Sequence, residues 1–183
     1  MPSPMVMMSA MSERPTSHAL IDRLPEETDR MARQLLQRAC DARLTIATAE
    51  SCTGGLIGAL LTDVEGISHA FERGFITYTD EAKAGMLGID RQLINEEGAV
   101  SEAVAAAMAR GAIGHSSADV ALAVTGFAGE AGPNDEPGLV HFACLRRGRD
   151  VITRVEHFGP LGRTEVRART VKVALEMMVD VLD

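Results

Sequence analysis

Apolar positions recur along the chain with two periods, about 3.6 and 2, and the switches between them mark the elements. Pro25-Glu26-Glu27 puts a proline in a first turn and acids at the positive end of a helix dipole. Met31, Leu35, Leu36 and Ala39 then recur at helical spacing. Thr45 to Ala49 reads as a short strand of small and β-branched residues. The chain then turns through Ser51 to Gly55 into an apolar helix, Leu56 to Val64, stopped near Gly66. Phe75 to Tyr78 is the next expected strand. Asp80 is expected to cap a helix that runs to Leu87 and stops at Gly88, and Ser101 to cap the alanine-rich helix that follows. Val120 to Thr125 is the apolar run of a buried strand, and Leu139 to Leu145 and Val151 to Phe158 flank Arg147-Gly148-Arg149-Asp150 as a hairpin. Arg163 to Leu182 makes a long last helix with Val166, Thr170, Val173 and Met177 on one face.

Strands alternating with helices, then a hairpin, predict an α/β fold of three layers, α/β/α. Its mixed, mainly parallel sheet is covered by helices on both faces. The length of 183 residues suits one such domain, expected over 18–183, with a flexible tail up to Ser17. Aromatics are only 3 %, with Tyr78 the one tyrosine and no tryptophan, so the core must come from Ala, Val, Leu, Ile and Met.

A net charge of −8 argues against a nucleic-acid partner, which needs a basic face to displace counterions. No apolar run is long enough to span a bilayer, so no membrane is expected. Cys40, Cys52 and Cys144 are odd in number and form no C-x-x-C pair, which suits a reducing cytoplasm rather than a disulfide framework. The histidines (His18, His69, His115, His141, His157) lack ligand spacing, so no metal and no cofactor are expected. Arginines do crowd one C-terminal stretch, Arg146, Arg147, Arg149, Arg154, Arg163, Arg167 and Arg169, which permits a locally positive pocket on an acidic protein.

Ligands of open α/β sheets sit at strand exits, and two exits here carry unusual residues. The first is Glu50-Ser51-Cys52-Thr53-Gly54-Gly55. Small polar residues and glycines between a strand and a helix aim backbone N–H groups at one point, and the helix dipole adds positive potential for an anion or oxyanion. Ser51 and Cys52 are both available nucleophiles there. The same residues also read as an N-cap, Ser51 or Thr53, with a tight glycine turn. The second exit is Thr125-Gly126-Phe127-Ala128-Gly129, followed by a turn-rich run to Pro137; it reads as an anion-binding nest or as a surface loop.

Lys83 is one of only two lysines, with Lys172, in a chain of sixteen arginines. A lysine retained amid arginines invites a role arginine cannot fill, since a buried lysine can lose its proton and act as a base. An exposed helix lysine is the plainer reading. Tyr78, five residues earlier, offers a hydroxyl for anchoring substrate or relaying a proton, or is simply a half-buried strand tyrosine.

In series, several segments resemble the nicotinamide-mononucleotide deamidases, the family also known as the CinA C-terminal domain. They are Ala49 to Gly55, Thr62-Asp63-Val64, Phe71-Glu72-Arg73-Gly74, Thr77-Tyr78-Thr79, Glu81-Ala82-Lys83, Gly98-Ala99-Val100-Ser101, Thr125 to Gly129 and Gly162 to Arg167. The resemblance covers essentially everything after Ser17. It implies hydrolysis of nicotinamide mononucleotide to nicotinate mononucleotide and ammonia, as in pyridine nucleotide salvage, by a metal-free serine–lysine pair. Carried onto this sequence, Ser51 is the nucleophile, Lys83 its base, and Tyr78 an active-site tyrosine. Cys52 and Thr53 would supply oxyanion N–H groups, with Glu50, Gly54 and Gly55 beside them. Thr125, Gly126, Ala128, Gly129, Arg163 and Arg167 would hold substrate. The resemblance and the apolar last helix make a homo-oligomer a further expectation.

The sequence departs from the family's pattern at Glu130 to Gly138, where Glu136 stands in place of a lysine. Two alternatives therefore stay open: a catalytically weak nucleotide-binding or regulatory protein of the same fold, and a deamidase of another carboxamide.

Overall fold

A computed structural model of the chain describes residues 24–129 and 132–183. The expected tail up to Ser17 lies outside the described residues, as do Glu130 and Ala131. Among the described residues, eleven α-helices and β-strands follow in order: α1 (Glu26–Ala42), β1 (Ile46–Glu50), α2 (Leu56–Thr62), β2 (Phe71–Ile76), α3 (Asp80–Leu87), α4 (Arg91–Glu97), α5 (Glu102–Gly114), β3 (Val120–Gly126), β4 (Leu139–Arg146), β5 (Ile152–His157) and α6 (Arg163–Leu182).

The five strands form one sheet in the order β2-β1-β3-β4-β5. β1 pairs in parallel with both β2 and β3, whereas β4 is antiparallel to β3 and to β5. Four strands therefore run one way and β4 alone runs against them, which is the mixed, mainly parallel sheet expected from the sequence. The chain leaves β1 toward β2 on one side and reaches β3 on the other, so the sheet's switch point lies at the carboxyl ends of β1 and β3.

The two faces are packed by different residue sizes. One face presents Ile46, Leu122, Val124, Val140 and Phe142 to α1, α2 and α6. The other presents Ala49, Ala121, Ala123 and Ala143 to the alanines of α5, with Leu87 of α3 and Ile94 of α4 completing the layer. Small residues on both partners bring α5 close to the sheet. They bring α3 close to α5 as well, since a Cβ on Gly111 would lie 2.3 Å from the Leu87 carbonyl oxygen. Among the described residues, no helix is long and apolar enough to cross a membrane.

Several sequence expectations need correction. β2 begins at Phe71 rather than Phe75, because it is an edge strand whose polar start, Glu72-Arg73-Gly74, hides its period. Tyr78 lies beyond its end. Thr79, not Asp80, caps α3, its hydroxyl accepting from the Ala82 N–H at 3.1 Å. The helix α4 was not expected, and α2 ends at Thr62, short of Val64. In α1, Ala32 and Thr28 take the core positions and Met31 is only half-buried. The last helix spans Arg163–Leu182 with Val166, Thr170, Val173 and Met177 buried.

Candidate active site

Strand alternation decides where the residues of the first exit point. Ile46 belongs to the α2 side and Ala49 to the α5 side, so Glu50 and Ser51 diverge to opposite faces. Glu50 turns to α2. Its buried carboxylate accepts from the N–H groups of Gly55 (3.0 Å), Ile57 (3.1 Å) and Gly58 (2.8 Å) and from the Thr48 hydroxyl (3.2 Å). These bonds satisfy the orphan donors of the α2 start. Glu50, expected among the oxyanion and substrate contacts, thus turns its carboxylate to the start of α2, and a carboxylate of the protein occupies that helix end. Neither Ser51 nor Thr53 caps α2; Gly55 stands at the cap, at φ 91°, after Gly54 at φ 59°.

Ser51 extends the β1 ladder, its N–H donating to the Val124 carbonyl at 3.1 Å. Its side chain lies on the α3 side, where Lys83 Nζ donates to Ser51 Oγ at 3.4 Å. Lys83 is only 2 % exposed. Burial pushes its pKa down from the ordinary 10.5, opposed by the carboxylate of Asp80 and then by Cys52. Asp80 Oδ1 lies 3.9 Å from Nζ. The arrangement sets a serine hydroxyl beside an amine that burial makes easier to deprotonate.

Cys52 is buried next to it, and desolvation pushes its thiol up to about 12, so it is uncharged near neutrality. A thiol without thiolate character is a poor nucleophile. Among the described residues, the N–H groups of Cys52 and Thr53 donate to no oxygen, and both face the Cys52 sulfur, leaving two adjacent donors beside Ser51. Gly54 N–H, in contrast, turns back to the Ser51 carbonyl at 3.1 Å.

Ser51, Cys52, Lys83, Tyr78 and Arg163 line one cavity of about 280 Å³, closed on its other wall by Thr125, Gly126, Phe127 and Ala128. Tyr78 is 58 % exposed, so the half-buried strand tyrosine is corrected to a rim residue. Its hydroxyl accepts from Arg163 at 2.9 Å. Thr125 hydroxyl is taken by the Ala99 carbonyl at 2.7 Å and ties β3 to the loop before α5. Gly126 is a close-approach glycine: a Cβ there would lie 2.6 Å from the Leu139 carbonyl oxygen. The N–H groups of Ala128 and Gly129 meet no acceptor among the described residues.

The arginine-rich stretch divides into separate jobs. Arg146 and Arg147 bond to carbonyls at the ends of α6 and α5, Arg154 pairs with Glu156 and Glu176, and Arg169 pairs with Glu165. Arg163 and Arg167 meet no carboxylate among the described residues. Arg167 donates to the Thr53 carbonyl, leaving its Nε without a partner. Burial and then the Arg163 charge bring its pKa below the usual value. Two guanidiniums crowded together with no carboxylate in ion-pair contact, the Glu50 charge acting on Arg167 only from a distance, make the α6 start a place where an anion is welcome. Sequence reading missed Asp80, Ala99 and Val100 as cavity residues; Gly98-Ala99-Val100-Ser101 had signalled itself only as a segment of the family resemblance. Among the described residues, no group of His, Cys, Asp and Glu could hold a metal ion.

The family model for the CinA C-terminal domain matches residues 28–182. The chain is 43 % identical over 136 residues to the nicotinamide-nucleotide amidohydrolase PncC of Escherichia coli K12, covering 73 % of this chain and 82 % of that protein. It is 45 % identical over 139 residues to a CinA-like protein of Akkermansia muciniphila, covering 75 % of this chain and 33 % of the relative. Against competence-damage inducible relatives the chain likewise spans only 25 % to 39 % of their length. Among solved structures, the competence/damage inducible protein CihA of Agrobacterium tumefaciens superposes with a TM-score of 0.84 at 42 % identity, over 87 % of this chain and 98 % of that one. A CinA superfamily protein of Escherichia coli follows at 0.80 and 36 %, over 87 % and 94 %.

Proposed function

The chain belongs to the CinA C-terminal domain family, and from that premise we propose that it is an amidohydrolase of nicotinamide mononucleotide, with Ser51 as nucleophile and Lys83 as base. The observation that carries the proposal is the 3.4 Å contact between Lys83 Nζ and Ser51 Oγ on the wall of a cavity. Ser51 Oγ attacks the carboxamide carbon as its proton passes to Lys83. The N–H groups of Cys52 and Thr53 receive the oxyanion. Collapse breaks the C–N bond, the Lys83 ammonium returns the proton to the leaving nitrogen, and ammonia departs. Water then attacks the acyl-serine with Lys83 again as base, releasing nicotinate mononucleotide and free Ser51. Arg163, Arg167 and the N–H groups of Ala128 and Gly129 take the phosphate, and Tyr78 holds Arg163 at the rim.

A second reading, a deamidase of another carboxamide, is favoured by the adjoining cavity of about 570 Å³, where Glu97, Asp135 and Glu136 disfavour an anionic group. Incubation of the protein with nicotinamide mononucleotide should release ammonia and nicotinate mononucleotide in equal amounts, at a rate unchanged by chelators. A faster rate on the dephosphorylated nucleoside would replace the first reading by the second. Binding without ammonia release would make the protein a regulatory binder.

A further inference from the structure

Lys83 has polar neighbours on two sides: Ser51 Oγ at 3.4 Å and Asp80 Oδ1 at 3.9 Å. Asp80 and Lys83 stand three residues apart on α3, hence on one helix face. Asp80 reaches the amine because Thr79 performs the capping that an aspartate at this position would otherwise do. Its side chain is 56 % exposed against 2 % for Lys83, so the carboxylate sits in water at the cavity wall while the amine is enclosed.

No other carboxylate lines this cavity among the described residues. Glu50, at the end of β1, is turned to α2. From the turn after β1 comes the Cys52 thiol, uncharged at neutral pH. Arg163 and Tyr78 stand on the same cavity, bonded to each other. The faces that α5 and α4 bury are Val104, Ala105, Met108 and Ile94, without charge, while Arg91 of α4 and Glu81 share a surface cavity with Asp80 on its outer side.

We propose that Asp80 is a positioning residue for the base: it holds the ammonium that forms when Lys83 takes the serine proton, and so sets the pH at which the pair works. This rests on Lys83 being the base. A serine can hand its proton only to an amine that is neutral beforehand and tolerably stable once charged. Burial secures the first condition and the hydrated carboxylate of Asp80 the second. Without Asp80 the amine would stay neutral to lower pH but accept a proton less readily.

The chain's two lysines make the test direct, because lysine labelled with 13C at Cε gives two side-chain resonances. Lys172, paired at the surface with Glu27 at 3.2 Å, is the internal control. In Asp80→Asn the Lys83 titration should move down by on the order of one pH unit, the size of effect expected of a charge about 4 Å away in a watery setting. Lys172 should not move. The acid limb of kcat/KM should move down by the same amount while the plateau falls several-fold, and Asp80→Glu should restore both. A mere helix-end role would change Tm and leave the limb in place. An unmoved Lys83 titration in Asp80→Asn overturns the proposal. Absence of turnover on nicotinamide mononucleotide would instead defeat the functional reading, with the Lys83 titration still deciding the role of Asp80.

Discussion

The two strand exits that meet at the cavity use glycine for opposite purposes. At the β1 exit, Gly54 and Gly55 adopt left-handed φ angles of 59° and 91°, so that the chain can reverse within a few residues and leave the N–H groups of Cys52 and Thr53 donating to no oxygen. At the β3 exit, glycine serves close approach. Gly126 packs against the Leu139 carbonyl, and Gly138, at φ 81°, lies where a Cβ would be 2.2 Å from the Gly159 carbonyl oxygen. The backbone there is tied: Phe127 N–H donates to Leu139, Gly138 N–H to Phe127, and Phe158 N–H to Gly138. The same residue type therefore serves a chain reversal in one loop and close packing in the other. What tells them apart is the backbone: left-handed φ at Gly54 and Gly55, and close backbone packing at Gly126 and Gly138.

The sharpest way to break this comparison is at the base that serves the β1 exit. Lys83→Arg should lose turnover by several orders of magnitude, nearly as much as Lys83→Ala, because guanidinium keeps the charge but cannot accept the proton. Near-normal activity in Lys83→Arg would show that charge alone is what the position supplies. Lys83→Met should be inactive yet melt higher at pH 7. Burial lowers the folded pKa of Lys83 below the ordinary 10.5. Between those values the unfolded chain binds more protons, so stability rises with pH, and below the folded value the full cost of the buried charge is present. The advantage of Lys83→Met should accordingly shrink as pH approaches 10.5.

At the β3 exit the largest effect should be on stability. Gly138→Ala meets both a left-handed φ and a backbone oxygen and should cost at least about 2 kcal/mol, lowering Tm by roughly 5 °C or more. Gly54→Ala, whose nearest contact is the end of Arg167 at 3.5 Å, should cost less in Tm and more in turnover. Reversal of that order would dissolve the distinction between the exits. Glu50→Gln should lose about 1–3 kcal/mol, because its bonds to three helix N–H groups are charge-assisted. The smallest effect belongs to Glu136→Lys. Glu136 is held by His157 at 2.8 Å at the surface. The exchange should lower KM for the mononucleotide by a few-fold with kcat unchanged and leave the nucleoside unaffected.

Most elements were legible because their periods are strong: α6, β3 and the β4–β5 hairpin lie close to where the pattern puts them. α4 was not, because seven residues with one buried apolar side chain, Ile94, make no stripe, and its only signals are Asp90, whose carboxylate accepts from Gln92 N–H, and Gly98. In the site, Ser51 and Lys83 stood out by residue type and family resemblance, but their contact depends on the β1–β2 register and the seating of α3 on α5. Those are tertiary facts with no local signature. The fate of Glu50 was in principle readable, since a period of 2 sends it and Ser51 to opposite faces. The unbroken run of small and polar residues from Glu50 to Gly55 conceals it. Asp80 was hidden by its cap-like position, and only the Thr79 hydroxyl bond shows that the capping is done elsewhere.

The central claim is that the Ser51 hydroxyl, not the neighbouring thiol, performs amide hydrolysis with Lys83. Its most direct test is ammonia release from nicotinamide mononucleotide by the wild type, Ser51→Ala and Cys52→Ala side by side. Ser51→Ala should lose turnover by several orders of magnitude while Cys52→Ala keeps most of it; an active Ser51→Ala beside a dead Cys52→Ala would contradict the account and make the protein a thiol hydrolase.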